Sequence, residues 1–463
     1  MFFRRIYDEG LAQASYLIGC QQKGTAVVVD PRRDVQVYLD VAAQQGLRIV
    51  AVTETHIHAD YLSGSRELAD RIGATLYLSD EGGTDWAYAF PHEGLRHGSE
   101  IRLGNIVLRA LHTPGHTPEH LSFLVSDGAR TAEPVLLLTG DFVFVGDLGR
   151  PDLLDEAAGG EDTRFEGTRQ LFRSLQDTFL TLPDYVQVWP GHGSGSACGK
   201  ALGAVDSTTV GFERRFAWWS HFLLTGDVQG FSDELLSGQP DVPSYFGRMK
   251  RQNKAGPAFV PTNPLARLEP HNLTDKLLID TRAREAHQSG FAPNSLSLTA
   301  GKTFETWAGW LIDPERERPL VLLAADEAEA QGLRERLWRV GIDTVAGYIT
   351  GFGDLPTHTA LPLEPTEFDA LKNKVILDVR TKAEYDAGHI PGATLIPAGR
   401  LPQHLAELPR DRPIAVHCQS GARSPGAASL LRAHGFEDVS ELAGGFPNWH
   451  RAQTAKTLES AHE

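Results

Sequence analysis

The chain has 463 residues, enough for about three domains with full cores of their own. Its net charge is −16, which argues against the basic face that nucleic acid or an anionic membrane requires and is read as a solubility property. Its three cysteines (Cys20, Cys198 and Cys418) are odd in number and far apart, so a disulfide framework is set aside and reduced thiols are expected.

No signal-length apolar run follows MFFRRIYDEG, and no stretch of about 18 apolar residues occurs, so the expected location is the cytoplasm. The first ~250 residues alternate strands and helices. Apolar runs predict strands over 25–30, 48–53, 106–110, 120–125, 135–139 and 186–189, and helical spacing appears over 35–45 and 65–72. Residues 231–264, rich in Gly, Pro, Ser and Asn, read as a closing segment and then a linker.

The remainder contains an internal repeat. RPIAVHC at Arg412–Cys418 echoes RPLVLLA at Arg318–Ala324, 94 positions earlier, and Gly435 falls on Gly341 at the same offset. Asp378-Val379-Arg380 echoes Asp280-Thr281-Arg282 at an offset of 98, as Gly388-His389-Ile390-Pro391 echoes Gly290-Phe291-Ala292-Pro293. Two copies of one α/β unit are expected.

Four His/Asp clusters each follow an apolar run: Thr55-His56-Ile57-His58-Ala59-Asp60-Tyr61, Thr113-Pro114-Gly115-His116-Thr117-Pro118, Thr139-Gly140-Asp141 and Pro190-Gly191-His192-Gly193. The ends of buried strands are the usual place for an α/β active site. Imidazole and carboxylate together suit a divalent transition metal.

Over residues 1–250 these motifs resemble the metallo-β-lactamase superfamily, whose first motif is H-x-H-x-D-H. Here Tyr61 replaces the last His, which serves the second metal in the two-metal hydrolases. A phenol with a pKa near ~10 is a poor substitute, so a mononuclear site is favoured. THIHAD, TPGHTP and TGDFVFVGDLGRPDL resemble the persulfide dioxygenases in particular. That resemblance implies one Fe(II) per chain, held by His56, His116 and Asp141, with zinc as the alternative metal. Two His and a carboxylate leave coordination positions open for oxygen chemistry. His58, Asp60, Tyr61 and His192 then belong to the surrounding shell or to a second metal site. The implied reaction oxidises a thiol persulfide with O2, releasing sulfite and the free thiol; glutathione, coenzyme A, bacillithiol and inorganic polysulfide all remain candidate carriers.

Substrate-binding candidates are Arg150, Tyr245 and Lys250. A loop ion pair with Asp152 is the slightly favoured reading of Arg150. Tyr245, Arg248, Lys250 and Arg251 form a small basic cluster that either steers an anion or is simply solvated. Cys198 is read as a plain buried cysteine, with a persulfide relay as the minor alternative.

His417-Cys418-Gln419-Ser420-Gly421-Ala422-Arg423-Ser424 lies between a strand (413–416) and a helix reaching about Ala433. A Cys on such a turn faces a ring of backbone N–H groups that stabilises a thiolate or persulfide, and Arg423 closes the loop as a cation. Cys-x4-Arg has one residue fewer than the phosphatase loop. It resembles a rhodanese over about 365–455, with support from LDVRTKAEYDAGHIPGA and LAGGFPNW. The catalytic pair is then Cys418 and Arg423, and Gln419, Ser420, Gly421 and Ala422 form the persulfide loop. Asp378, Arg380 and Trp449 are read as structural. In the middle copy Ala324 and Glu329 stand at the Cys and Arg positions, which predicts an inactive unit.

The expected architecture is α/β: an N-terminal αββα metallo-β-lactamase-fold sandwich over 1–250, a linker over 251–269, then two rhodanese-like α/β domains with parallel sheets, inactive over 270–360 and catalytic over 365–455. The expected partners are a small thiol persulfide, O2, and sulfite or thiosulfate; nucleic acid and membrane are not expected, and a homodimer is the expectation by analogy with related folds. Two other readings stay open: a two-metal zinc thioester hydrolase resembling glyoxalase II, and a persulfide carrier or sensor working only at Cys418.

Overall fold

The computed structural model describes residues 1–153 and 163–460, which form two compact units. The first comprises Met1–Val260 with Trp338–Gly341; the second comprises Pro261–Leu337 with Ile342–Glu463.

Two six-stranded sheets make the centre of the first unit. One sheet runs β1 (Phe2–Asp8), β2 (Gln13–Cys20), β3 (Thr25–Val29), β4 (Arg48–Thr53), β5 (Thr75–Ser79) and β6 (Glu93–Leu95) in spatial order. The other holds β7 (Glu100–Leu103), β8 (Ile106–His112), β9 (Leu121–Asp127), β10 (Pro134–Gly140), β11 (Gln187–Pro190) and β12 (Thr208–Thr209), in the order β12-β11-β10-β9-β8-β7. Strand alternation divides the core into layers. On β3, Val27 and Val29 face the second sheet, meeting Leu108, Phe123 and Leu138. Ala26 and Val28 face the other way, with Tyr38 and Ala42 of helix Gln36–Gln44 and Leu68 and Ala69 of helix Ser65–Ile72. Helix Thr163–Asp177 covers the second sheet with Leu171, Phe172 and Leu175 against Leu137 and Val188. This is the expected αββα sandwich.

Several elements differ from the sequence reading. β2 is buried at every position although QASYLIGC lacks an unbroken apolar run, because both its faces are covered: Ala14, Tyr16, Ile18 and Cys20 pack between the sheets and Leu17 in the helix-side layer. The stretch 231–264 is more regular than a linker: helices Val228–Leu236 and Phe246–Ala255 occupy about half of it. Buried Phe231 and Leu235 anchor the first, and Phe246, Met249 and Asn253 the second, at the three- and four-residue spacing of a helix face.

The second unit contains two four-stranded parallel sheets of one topology. The strands of the first are β13 (Leu277–Asp280), β14 (Ser295–Ser297), β15 (Leu320–Leu323) and β16 (Val345–Ile349), ordered β14-β13-β15-β16. Those of the second are β17 (Val375–Asp378), β18 (Thr394–Leu395), β19 (Ile414–His417) and β20 (Val439–Glu441), ordered β18-β17-β19-β20. The repeat extends to side chains. Arg282 bonds Asp280 and the Gly290 carbonyl (2.7 Å), just as Arg380 bonds Asp378 and the Gly388 carbonyl (2.8 Å). Among the described residues, no helix is long and apolar enough to cross a membrane.

Candidate metal centre and sulfur-transfer loop

The four His/Asp clusters meet at one end of the sandwich, on the loops after β4, β8, β10 and β11. His56, His116 and Asp141 each turn a ligand atom inward, all within 4.8 Å of one another, and all three residues are buried. His116 Nε2 lies 3.5 Å from Asp141 Oδ2. Both Asp141 carboxylate oxygens are buried with no hydrogen-bond partner. A buried carboxylate without partners is costly unless a cation balances it.

The protonation states suit ligation. Burial and the surrounding His58, His116, His120 and His192 push His56 well below the usual imidazole range; burial also lowers His116. Both are therefore neutral, the form that binds metal. Burial works against the Asp141 carboxylate, but the surrounding imidazoles, His192 foremost, outweigh it and hold the carboxyl below its ordinary value.

A ring of other groups aims these ligands. His116 Nδ1 donates to the Arg150 carbonyl at 2.9 Å, leaving Nε2 for the centre. The Asp141 N–H donates to His120 Nε2 at 3.1 Å, so the His120 proton sits on Nδ1, toward Thr113 Oγ1 at 2.9 Å. Asp30 accepts from the Thr55 N–H at 2.7 Å and from the Thr55 hydroxyl at 3.0 Å, fixing the residue before His56. Glu119 Oε1 accepts from the Ile57 N–H at 2.7 Å. Gly140 is required: its φ is +49°, and a Cβ there would stand 2.5 Å from Thr55 Oγ1 and 2.8 Å from His120 Nε2. Asp30, Glu119 and His120 were absent from the sequence-level candidates. The carboxylate ending TAVVVD was the one readable signal.

His58 and Tyr61 are not among the three inward-facing donors, although the His58 ring centroid lies 4.2 Å from that of His56. His58 Nε2 is 3.0 Å from Asp30 Oδ1. Burial disfavours the charged ring, but Asp30, with Glu54 and Asp60, overrides it and pushes the imidazole up to about 9. The Tyr61 hydroxyl donates to the Asp30 carbonyl at 3.2 Å and accepts from Gln13 Nε2 at 3.3 Å. It is thus a fully buried packing residue against His58, whose ring centroid is 4.5 Å away. Asp60 and His192 join a second cluster with Cys198.

The substrate-binding candidates are buried. Arg150 is 2% exposed; its guanidinium grips Asp152 twice and reaches the Ala197 and Pro240 carbonyls at 3.1 and 2.7 Å. That is the loop ion pair, tying three segments together. Tyr245, Arg248 and Lys250 are buried, and Arg251 is the exposed member of that basic cluster. Lys250 Nζ sits 3.5 Å from the centre of the Trp86 ring, and burial lowers its ammonium to about 8.

In the second unit, Cys418 follows β19 and precedes helix Ser424–Ala433. Its Sγ accepts from the Gly421 N–H at 3.1 Å and the Arg423 N–H at 3.4 Å. Gly421 has φ +83°, the turn that aims its N–H inward. Gln419 Oε1 accepts from Arg380 at 3.1 Å, which ties the loop to the buried Asp378–Arg380 pair. The Arg423 guanidinium is engaged by Glu384, so the loop meets the sulfur with backbone N–H groups while its cation is paired. Trp449 Nε1 donates to Asp369 at 2.7 Å. In the first repeat, Ala324 occupies the cysteine position and Glu329 folds back to accept from the Ala325 N–H at 2.6 Å. A carboxylate of the chain itself thus occupies the N–H that would face an anion.

Residues 8–192 match the metallo-β-lactamase superfamily and residues 364–452 the rhodanese-like domain. The chain belongs to the metallo-β-lactamase superfamily and carries a rhodanese-like domain at its C-terminus. Among similar structures, a metallo-β-lactamase from Staphylococcus aureus is 39% identical, with a TM-score of 0.69, covering 75% of this chain and 99% of that one. An uncharacterized protein of Mycobacterium leprae is 30% identical over 233 residues, 45% of this chain and 94% of that protein. The mitochondrial persulfide dioxygenase ETHE1 of Homo sapiens is 27% identical over 198 residues, 42% of this chain and 68% of that protein.

Proposed function

We propose that this protein oxidises a low-molecular-weight thiol persulfide with O2 at His56, His116 and Asp141, and transfers sulfane sulfur at Cys418. The observation that carries the reading is the buried trio of two neutral imidazoles and one carboxylate without a hydrogen-bond partner. Those donors fit a single Fe(II), which supplies open coordination positions for the persulfide sulfur and O2 when bound. The persulfide dioxygenase activity of the ETHE1 relative supports the same assignment. A two-zinc hydrolase is the weaker reading, because Tyr61 is turned to Asp30.

The chain's own part is orientation of the ligands. The Arg150 carbonyl and Thr55 aim the two rings, and His120 holds the Asp141 backbone. The overall oxidation consumes one persulfide, one O2 and one water, and yields one thiol, one sulfite and two protons. At Cys418, a persulfide sulfur held by the Gly421 and Arg423 N–H groups passes to sulfite. The S–S bond to Cys418 breaks, a new S–S bond forms in thiosulfate, and Cys418 leaves as thiolate. In this scheme residues 1–250 oxidise, 365–455 transfer, and 270–360 form the inactive copy.

The test is oxygen uptake by the Fe(II)-loaded protein given glutathione persulfide, for wild type, His116→Ala and Cys418→Ser. Uptake with equal sulfite release, lost in His116→Ala and kept in Cys418→Ser, supports the proposal. No uptake by the wild type with glutathione, coenzyme A or bacillithiol persulfides overturns it.

A further inference from the structure

The Cys418 loop is held from outside its own repeat. Arg284 opens helix Arg284–Ser289 in the first repeat, 137 positions upstream, and its Nη1 donates to the Gly421 carbonyl at 2.8 Å. That carbonyl belongs to the peptide joining Gly421 to Ala422. The peptide lies between the two N–H groups, of Gly421 and Arg423, that face Cys418 Sγ. A peptide is planar, so only the dihedrals of Gly421 and Ala422 separate the held carbonyl from those two donors. Gly421 is the softest point of the loop: a glycine at φ +83° enters and leaves that conformation freely, and a tether there keeps the donors converged.

A second observation shows that this contact belongs to a built interface. The Ser297 N–H on β14 donates to the buried Ser429 Oγ at 2.9 Å. Helix Ser424–Ala433, which begins where the loop ends, is thereby seated on the edge strand of the first repeat's sheet. Arg432 on the same helix stands over the Phe291 ring, 5.4 Å from its centre. The charged groups of the second repeat around the loop have partners of their own. Arg423 pairs with Glu384, Arg380 with Asp378, Arg432 faces Glu441 at 4.0 Å, and His417 lies 3.5 Å from Asp378. Arg284 also touches Glu285, but that carboxylate is 70% exposed, and such a surface pair holds a guanidinium weakly.

We infer that Arg284 is a positioning residue of the sulfur-transfer site, so that the first repeat, which carries Ala324 in place of a cysteine, completes the persulfide cradle of the second. The inference rests on the sulfur-transfer reading of Cys418. A thiolate or persulfide is stabilised by N–H groups that already converge on it and need no reordering when the charge arrives. Arg284 keeps the Gly421–Ala422 peptide in place for that purpose and brings a cation to the loop.

The test is alkylation of Cys418 by iodoacetamide in the full chain from about pH 5 to about pH 10, read by mass spectrometry of the Cys418 peptide. Wild type, Arg284→Met and Arg284→Lys are compared. Methionine keeps an aliphatic stem and removes every donor; lysine restores a cation. Arg284→Met should shift the profile upward by about one pH unit, a roughly tenfold slower reaction at neutral pH, and Arg284→Lys should recover part of the loss. Thiosulfate formation from glutathione persulfide and sulfite, followed without oxygen so that oxidation does not compete, should fall roughly tenfold in kcat in Arg284→Met, with KM for sulfite little changed. An Arg284→Met alkylation profile superimposed on that of wild type overturns the inference. A raised KM at unchanged kcat also overturns it, since Arg284 would then bind the anion rather than set the loop. If Arg284→Met does not fold, Arg284→Lys decides on the same profile: a shift supports the inference and none overturns it. If the wild type forms no thiosulfate, the sulfur-transfer reading fails, while the alkylation profiles still decide whether Arg284 sets the loop.

Discussion

The Arg423 guanidinium grips the Glu384 carboxylate through two hydrogen bonds, of 2.7 and 2.6 Å. Glu384 is also the third residue of the helix capped by Thr381, with which it forms a reciprocal capping box. The last residue of the Cys418 loop is thereby clamped to a helix start in the same domain. Sequence alone had read Arg423 as a cation closing the loop; in the structure its guanidinium pairs with Glu384 and also interacts with Cys418, while its N–H faces the sulfur.

This pair should make stability depend on pH. The hydrogen bonds from Arg423 hold the Glu384 carboxyl at about 2, below its ordinary 4.5, against the opposing effect of burial. Its contribution is therefore present above about pH 4.5 and lost as pH falls toward about 2. Urea unfolding should show Glu384→Gln less stable than wild type at neutral pH, with the gap closing toward about pH 3. A gap independent of pH would contradict the assignment.

A second pair should behave in a window with two edges. His434 Nε2 and Glu317 Oε2 are 3.2 Å apart within the second unit. The hydrogen bond to Glu317 raises the His434 imidazole above its ordinary 6.5. Burial would raise Glu317, but His434 and the Arg318 N–H outweigh it and hold the carboxyl at about 2. The histidine contribution is complete below about pH 6.5 and is lost as pH rises through its raised folded value; the glutamate contribution is lost on acidification. His434→Gln should cost on the order of 1 kcal/mol near pH 5.5 and much less at about pH 9, by chemical denaturation.

Asp30 supports His56 through Thr55 and binds His58 directly, so its role is positional. Asp30→Asn keeps the shape and removes the charge. Its affinity for metal at the His56 site should fall by roughly 10- to 100-fold, measured by competition with a chelator. Unchanged affinity would mean that Asp30 serves folding alone.

The first repeat, proposed to be inactive, offers a gain-of-function test. Ala324→Cys alone should give a thiol that alkylates slowly with iodoacetamide at neutral pH, because Glu329 occupies the Ala325 N–H and adds a negative charge. Ala324→Cys with Glu329→Arg should alkylate faster by about tenfold, the effect of a thiol pKa lowered by one unit. Equal rates would show that Glu329 is not what silences the loop.

Gly140→Ala tests the crowding between the strands. With φ at +49° and Thr55 and His120 within contact, it should destabilise the first unit by about 1–3 kcal/mol and release metal. Thermal unfolding with and without metal reads both effects.

Much of this organisation was legible in one dimension. Strands Arg48–Thr53 and helix Ser65–Ile72 stand where the apolar pattern puts them, because a buried strand and an amphipathic helix each need a local periodicity. The edge strand Phe2–Asp8 and the all-buried strand Gln13–Cys20 escaped, since neither carries that pattern in VIL-rich form. The helices of 228–255 were masked by their Gly, Pro and Asn content and are held by packing at a few apolar positions.

By itself, the sequence determined which residue types end which strands, the Cys-x4-Arg turn, and the doubling of the C-terminal unit, all of which depend on neighbours a few positions away. Only the tertiary structure decided which groups face each other. His58 answers to Asp30, 28 residues upstream, and Arg423 to Glu384, 39 residues upstream. Cys198 comes beside Asp60 and His192 only once both sheets have closed. The physical reason is that a buried charge or thiol takes its orientation from whichever partner removes the cost of leaving water, and that partner is set by the packing of distant strands rather than by adjacent sequence.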